Sequence, residues 1–508
     1  MPLFLILYFL CPGRKAKNTW LLLASLFFYA WGEPVYVLLM VCSIFMNWVF
    51  GIAIGRAAGE GAEGSGVGAP HNGRERLLLL AACVFNILVI GFFKYEGFVA
   101  ENVNLLVGSP LVPDLELPLP IGISFYTLQA LSYVIDVYRR EVEPQRNVLF
   151  LGMYIACFPQ LIAGPIVRYQ TIQQQVLGRR ETLDGFSSGL RLFIVGLSKK
   201  VLLANTCAIL ADQMLSMGGG SIGAVGAWGG LIAYTFQIFF DFSGYSDMAI
   251  GLGRMMGFKY LRNFNYPYIS KSISEFWRRW HISLSTFFRD YIFIPLGGSR
   301  VSTARNILNI SVVWAVTGLW HGAAWNYVGW GVYYGALLIA EKYLWGDALK
   351  RLPRAVQHLY CIAIFVFGWS FFWITDPSQL IPYWQAMAGQ FGATGTSTFW
   401  ELTVWEYWPV FAACTLASLP VCPWLKHRFV AWVEGREPGD FMKESIVNPK
   451  HHSSAELCVI EAKPADNKRA KALVVAQLCI DVSLLVLLVA SGAMVVSGSF
   501  NPFIYFQF

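Results

Sequence analysis

A histidine inside an apolar segment is costly to hold as a charged group, and for that reason it is a functional candidate. Of the seven histidines, His71, His427, His451 and His452 fall in polar stretches and His358 at a helix start, which leaves His281 and His321 in or beside apolar runs. On a helix, His321 shares its face with Trp314, Thr317, Gly318, Trp325 and Val328, so indoles and a hydroxyl flank the ring while Gly318 leaves a gap beside it. Burial there disfavours the imidazolium, and a neutral imidazole can take a proton from an attacking hydroxyl. General-base catalysis is the chemistry this spacing points to. The competing reading is a structural histidine hydrogen-bonded to Thr317 or to a neighbouring helix.

His281 lies in ISEFWRRWHISLSTFFRDY, residues 273–291. As one helix, this segment puts Phe276, Trp277, Trp280, Leu284, Phe287 and Phe288 on one arc, with Arg278, Arg279, Ser283, Ser285, Thr286, Arg289 and Asp290 outside it and His281 at the border. Such a helix is expected to lie in the membrane interface, rings in lipid and guanidinium groups among the headgroups. Arg254, Lys259, Arg262, Lys271 and Arg300 extend the basic field. Arginine recognises phosphate bidentately, so the field reads either as the entry for a phosphate-bearing donor or as plain headgroup anchoring.

Asp241 and Asp247 stand inside the apolar run FQIFFDFSGYSDMAIGLGRMMGF with Ser243 and Ser246 between them. Carboxylates at such depth mark ion or proton paths, or pair with an arginine such as Arg254 or Arg278 in a buried polar network. The residues that could carry chemistry are therefore His321 and His281, with Trp314, Thr317, Trp325, Arg278, Arg279, Ser285 and Asp241 as candidates along a donor path. No metal ligands are expected: the ten cysteines include no C-x-x-C pair, and most lie in apolar runs where thiols pack as small hydrophobes.

The elements that must position these residues are membrane helices. Across 508 residues, 56% are hydrophobic and 14% charged, and the mean hydropathy is +0.51, which excludes a water-solvated globule as well as disordered, collagen-like and disulfide-scaffold chains. The charge of +7 belongs in cytoplasmic loops and implies no nucleic acid. A spanning helix needs about 20 apolar residues. Segments near that length fall at 35–54, 77–93, 118–135, 148–167, 355–375, 403–424 and 472–497; residues 18–31 are shorter, and Lys199 and Lys200 interrupt 188–212. FPQLIAGPIVRY at 158–169 is expected to turn back, because Arg168, Arg179 and Arg180 follow at once. The runs 222–253 and 306–340 exceed one straight crossing. The latter, about 50 Å long as a helix against a hydrocarbon core of about 30 Å, must break near Gly322, Asn326, Gly329 or Gly331, beside His321. Residues 55–75 and 434–471 read as loops, basic loops are expected to face the cytoplasm, and MPLFLILYFLCPG reads as a short or partial membrane segment.

DFSGYSDMAIGLGRMMGF at 241–258, NFNYPYISKSISEFWRRWHISLSTFFRDYIFIPLGGSR at 263–300 and TGLWHGAAWNYVGWG at 317–331 closely resemble the membrane-bound O-acyltransferase (MBOAT) family, in its AlgI/DltB branch and nearest AlgI-like exopolysaccharide O-acetyltransferases. PIGISFYTLQALSYVIDVYRR at 120–140 and FPQLIAGPIVRY extend the resemblance over residues 20–340 or so. It implies an all-α polytopic membrane protein, a ring of about 10–12 transmembrane and re-entrant helices around a tunnel. Residues 1–345 would form the catalytic core and 346–508 a C-terminal set of helices with the 434–471 loop. By resemblance the histidine of WHG, here His321, is catalytic, and that of WRRWH, here His281, belongs to the same core. The N-terminal apolar segment is shorter than the family's usual one, and the C-terminal third fits the longer AlgI-like members.

The resemblance implies transfer of an acetyl group from a cytoplasmic thioester, acetyl-CoA or an acylated carrier, to an exported polysaccharide directly or through a partner protein. The setting would be the bacterial inner membrane, with lipid as the other partner and no bound cofactor. Transfer of D-alanine from a carrier protein is the alternative within the family. An ion-coupled transporter using Asp241 and Asp247 is the alternative outside it.

Overall fold

Within a bilayer each backbone N–H and C=O needs an internal partner, which helices supply within one segment. In the computed structural model of the chain, which describes residues 1–59, 71–218, 221–390, 402–437, 439, 460, 462–498 and 503, the regular structure among the described residues is entirely helical. The chain falls into two units, Met1–Thr182 with Met256–Tyr260, and Leu183–Met255 with Leu261–Phe508.

The first unit holds α1 (Pro2–Leu10), α2 (Gly13–Gly32), α3 (Tyr36–Gly59), α4 (Gly73–Val107), α5 (Ile123–Tyr138), α6 (Val148–Ala156), α7 (Phe158–Leu161) and α8 (Tyr169–Gly178). Asn72 starts α4 through a reciprocal cap: its Oδ1 accepts from the Glu75 N–H at 2.8 Å, and Glu75 Oε1 accepts from the Asn72 N–H at 3.2 Å. Among the described residues of this unit, only α3 and α4 are long and apolar enough to span. The segments 118–135 and 148–167 do not: α5 has 16 residues and carries the buried polar groups Gln129, Ser132 and Asp136, and α6 stops after 9 residues, just before Pro159. Beyond α7 the chain turns, as expected for FPQLIAGPIVRY.

The second unit begins with α9 (Leu183–Ser198), which runs through a wide π turn at Lys199–Ala204 into α10 (Asn205–Ser216), and continues with α11 (Ala224–Met255). The two lysines do not interrupt the span as expected, since Leu183–Ser216 qualifies as one crossing. Glycines let α9 and α11 touch backbone to backbone: a Cβ on Gly189 would lie 2.5 Å from the Gly251 carbonyl oxygen, and one on Gly196 2.5 Å from that of Gly244. At this contact Lys199 Nζ reaches Asp247 Oδ2 at 2.6 Å and Lys200 Nζ reaches Asp241 Oδ1 at 2.5 Å.

Then come α12 (Ile273–Arg279), α13 (Ile282–Phe288), α14 (Thr303–His321), α15 (Trp325–Ala340), α16 (Gly346–Arg351), α17 (Arg354–Trp373) and α18 (Pro377–Met387), followed by Trp408–Ser418, Val421–Glu434 and Asn467–Val496. α17 and Asn467–Val496 can each span, and Trp408–Ser418 with Val421–Glu434 forms a pair bent by 49°. His427 belongs to the helix Val421–Glu434 and not to a loop. Most of the 434–471 loop, His451 and His452 included, lies outside the described residues, as do residues 60–70 and nearly all of the tail SFNPFIYFQF. The chain is an all-α polytopic membrane protein.

Candidate active site

The long apolar run at 306–340 breaks at Gly322, one of the four positions at which the sequence allows it. α14 ends on His321, Gly322 is extended at φ −162° and ψ 152°, and α15 starts at Trp325. Gly322 is required by space, because a Cβ there would enter the ring of Tyr327. Below the break α14 and α15 close tightly, with Gly318 against Gly331 and against the Tyr327 carbonyl. The result is a helical hairpin with His321 at its tip.

The His321 ring is buried and meets the edges or faces of Trp320, Trp330 and Phe372, with centroids at 4.9, 5.1 and 5.0 Å and all three nearly perpendicular. The helical face drawn through Trp325 does not exist, because the chain changes direction at Gly322; Trp325 is 59% exposed. Thr317 donates its hydroxyl to the Val313 carbonyl at 2.7 Å.

The segment around His281 is not one interfacial helix. It breaks between α12 and α13 at His281 itself, held in the left-handed region at φ 44° and ψ 55°. Such a conformation is rare for a residue with a side chain and persists only where its surroundings fix it. Here the strand of chain at 263–265 does so: Ile282 N–H donates to the Asn263 carbonyl and Asn265 N–H to the Arg279 carbonyl, both at 2.9 Å. Most of the rings expected in lipid are buried instead, and Trp277 is half-buried. Phe276, Trp280, Leu284, Phe287 and Phe288 are all under 5% exposed, and Trp280 stacks among Phe276, Tyr268 and Trp369. Apolar packing within the protein and solvation by lipid tails look alike in a sequence.

The His281 ring is itself 1% exposed, perpendicular to Phe242 at 4.6 Å and 6.3 Å from Trp320. Its Nδ1 lies 3.2 Å from Asn263 Oδ1. Its Nε2 has no hydrogen-bond partner among the described residues. Burial pushes its pKa from 6.5 down to about 3, so the ring is neutral at physiological pH. The indole of Trp320 thus contacts both imidazoles.

A cavity of about 600 Å³ opens beside this aromatic cluster, lined by Trp314, Arg278, Lys271, Lys342, Lys350 and the carboxylates Glu275, Glu341 and Asp347 among others. Trp314 connects it to the histidine, packing at 5.6 Å on Trp330, which in turn packs on His321. Much of the charge is already matched. Glu275 binds Arg279 at 2.7 Å, Asp347 binds Lys350 at 2.8 Å, and Glu341 accepts the N–H groups of Ile273 and Ser274 at the start of α12. Arg278 makes no hydrogen bond or ion pair among the described residues, so its guanidinium is available to a ligand in the cavity.

Of the residues assigned to a donor path, then, Trp314 and Arg278 line the cavity. Arg279 is instead buried against Glu275 and the Asn265 carbonyl, Ser285 points back to the Trp280 carbonyl, and Asp241 pairs with Lys200. Asn263, Trp320, Trp330 and Phe372 were missed. Asn263 stands in the quoted NFNYPY, but nothing in its spacing connects it to a histidine 18 residues on.

Residues 78–383 match the model of the membrane-bound O-acyltransferase family. Over its whole length the chain is 36% identical to a probable alginate O-acetylase AlgI of Azotobacter vinelandii, covering 98% of that protein. It is 33% identical to a peptidoglycan O-acetyltransferase of Helicobacter pylori, with 78% of this chain and 79% of that one covered. To a teichoic acid D-alanyltransferase of Bacillus subtilis it is 27% identical, with 57% and 85% covered. With every motif of the site inside the matched span, the chain belongs to the membrane-bound O-acyltransferase family and is a multi-pass membrane acyltransferase.

Proposed function

We propose that the protein takes an acetyl group from a cytoplasmic thioester, acetyl-CoA or an acylated carrier, and delivers it for O-acetylation of an exported polysaccharide, directly or through a partner protein. The setting is the bacterial inner membrane. The observation that carries the reading is the pair of buried imidazoles on one indole, next to a cavity that offers Arg278.

His321 acts as the base. It takes the proton of the acceptor hydroxyl while that oxygen attacks the thioester carbonyl; the C–O bond forms, the C–S bond breaks, and the proton passes from the imidazolium to the departing thiolate. His281 holds a ligand O–H or N–H at its Nε2 lone pair. Arg278 suits the phosphates of a coenzyme A or phosphopantetheine donor, and Trp314 leads from the cavity toward His321. The relatives named for O-acetyl transfer align over more of this chain than the one named for D-alanyl transfer, which favours acetyl. The ion pairs of Asp241 and Asp247 leave little to support an ion-coupled transporter.

The test supplies purified protein in proteoliposomes with radiolabelled acetyl-CoA and an acceptor glycan. Label transfer that needs no carrier protein supports the reading. Transfer only from a D-alanylated carrier replaces it with the D-alanyl reaction.

A further inference from the structure

We propose that Asn263 is a positioning residue that locks His281 in a single tautomer, Nδ1 protonated and Nε2 bare, so that His281 meets its ligand only as a hydrogen-bond acceptor. This deepens the proposed function and rests on the role given there to His281.

The orientation of the Asn263 amide is not free. Its Oδ1 accepts from the backbone N–H of Ser283 at 3.2 Å and from the Ser283 hydroxyl at 2.9 Å, and its Nδ2 donates to Ser246 Oγ at 3.2 Å. A backbone N–H can only donate, so the atom facing it must be the oxygen; a flipped amide would set two donors against each other. That same oxygen faces His281 Nδ1 at 3.2 Å, and a carbonyl oxygen can only accept. The Ser283 hydroxyl also lies 3.4 Å from Nδ1, but its one proton goes to Asn263 Oδ1 at the shorter 2.9 Å, so Nδ1 carries the proton. In a neutral imidazole the other nitrogen is then a lone pair, and Nε2 is the atom that is buried with no partner among the described residues. A buried acceptor without a donor calls for an explanation, and a ligand hydroxyl or amide N–H that completes it is one.

The device is also anchored. Asn263 is 1% exposed, its carbonyl receives Ile282 N–H at 2.9 Å, and Ser246 ties it to α11. Ring and amide are thus fixed from three chain segments, while Phe242, Trp320, Asn263 and Ser283, none of them charged, face the imidazole. An asparagine suits this task where an aspartate would not: it sets the tautomer without stabilising the imidazolium, whose Nε2 would become a donor.

Solid-state NMR of the wild-type protein labelled with ¹⁵N-histidine, with His281→Gln as the subtraction control, reads the tautomer directly. A bare Nε2 with protonated Nδ1 is expected; a protonated Nε2 overturns the proposal without any variant having to fold. Kinetics at matched membrane abundance extend the test. Asn263→Ala should lower kcat/KM by roughly 10- to 100-fold, the scale of one buried hydrogen bond to the ligand lost. Asn263→Asp should raise the pKa of His281 and so move loss of activity on the acid side to higher pH than in the wild type, a change that a merely structural residue would not produce. Loss of activity in His281→Gln with wild-type rates and pH profiles in both Asn263 variants would overturn the role of Asn263 alone. Full activity in His281→Gln would overturn the role of His281 and this inference with it.

Discussion

His281 Nδ1 lies 3.2 Å from Asn263 Oδ1, and the backbone break at His281 is what makes that distance possible. Were residues 273–291 one continuous helix, the ring would sit at the border of an amphipathic arc. The left-handed turn moves it inward against Phe242 and Trp320, and it shares the latter with His321. The two histidines that composition singled out thus share one indole through a conformation that composition does not announce.

Adjacent arginines should behave differently. Arg278→Ala is expected to raise the donor KM about 10-fold, the scale of a charged hydrogen bond, with kcat and protein abundance unchanged. Arg279→Ala removes the partner of Glu275 and of the Asn265 carbonyl, so it should lower thermal stability and abundance. Donor-titration kinetics and thermal unfolding of detergent-solubilised protein separate the two.

Gly322→Ala should be damaging although alanine tolerates the extended backbone there, because the added methyl would enter the Tyr327 ring. Overpacking of this kind costs about 1–3 kcal/mol. The displacement falls next to His321, so specific activity should drop further than the melting temperature implies. Equal activity per folded molecule would show that the hairpin tip tolerates movement.

The Asp241 and Lys200 pair is expected to matter as a pair. Asp241→Leu takes the carboxylate from a buried ammonium and should cost about 3–5 kcal/mol, whereas Asp241→Leu with Lys200→Leu should recover most of that loss. Measured unfolding midpoints for the single and double variants check this. An activity loss that the double variant fails to restore at full stability would assign Asp241 a direct part in the chemistry.

Acid should weaken the first unit through Glu181. Burial raises its pKa, but hydrogen bonds from Arg14 at 2.5 Å and Tyr8 at 2.7 Å outweigh this and hold it at about 2, below the ordinary 4.5. A depressed carboxylate stabilises the fold fully above its unfolded value, and the contribution fades as pH falls from about 4.5 toward 2. Glu181→Gln should therefore melt below the wild type at pH 7, with the gap closing at pH 3. A gap of equal size at both values would rule out the ion pair as its cause.

Length arithmetic showed that the run at 306–340 must break and left Gly322 among four candidates; what fixes the break there is the Tyr327 ring, which leaves no space for a Cβ. The same arithmetic failed for 118–135 and 148–167, where buried polar residues and Pro159 shorten the helices. It also misjudged Lys199 and Lys200, because a run of residues does not show that carboxylates on α11 wait opposite them. The site was half legible. Histidines stand out against an apolar background, whereas Asn263, Trp320, Trp330 and Phe372 are common residues whose role comes from tertiary placement.

The central claim is that His321 carries out the acyl transfer. Its most direct test is the O-acetyl content of exported glycan from a deletion strain complemented with wild-type, His321→Ala or His281→Ala protein at matched membrane levels. His321→Ala is expected to abolish acetylation at normal abundance, and His281→Ala to reduce it strongly. Acetylation retained by His321→Ala would contradict that claim.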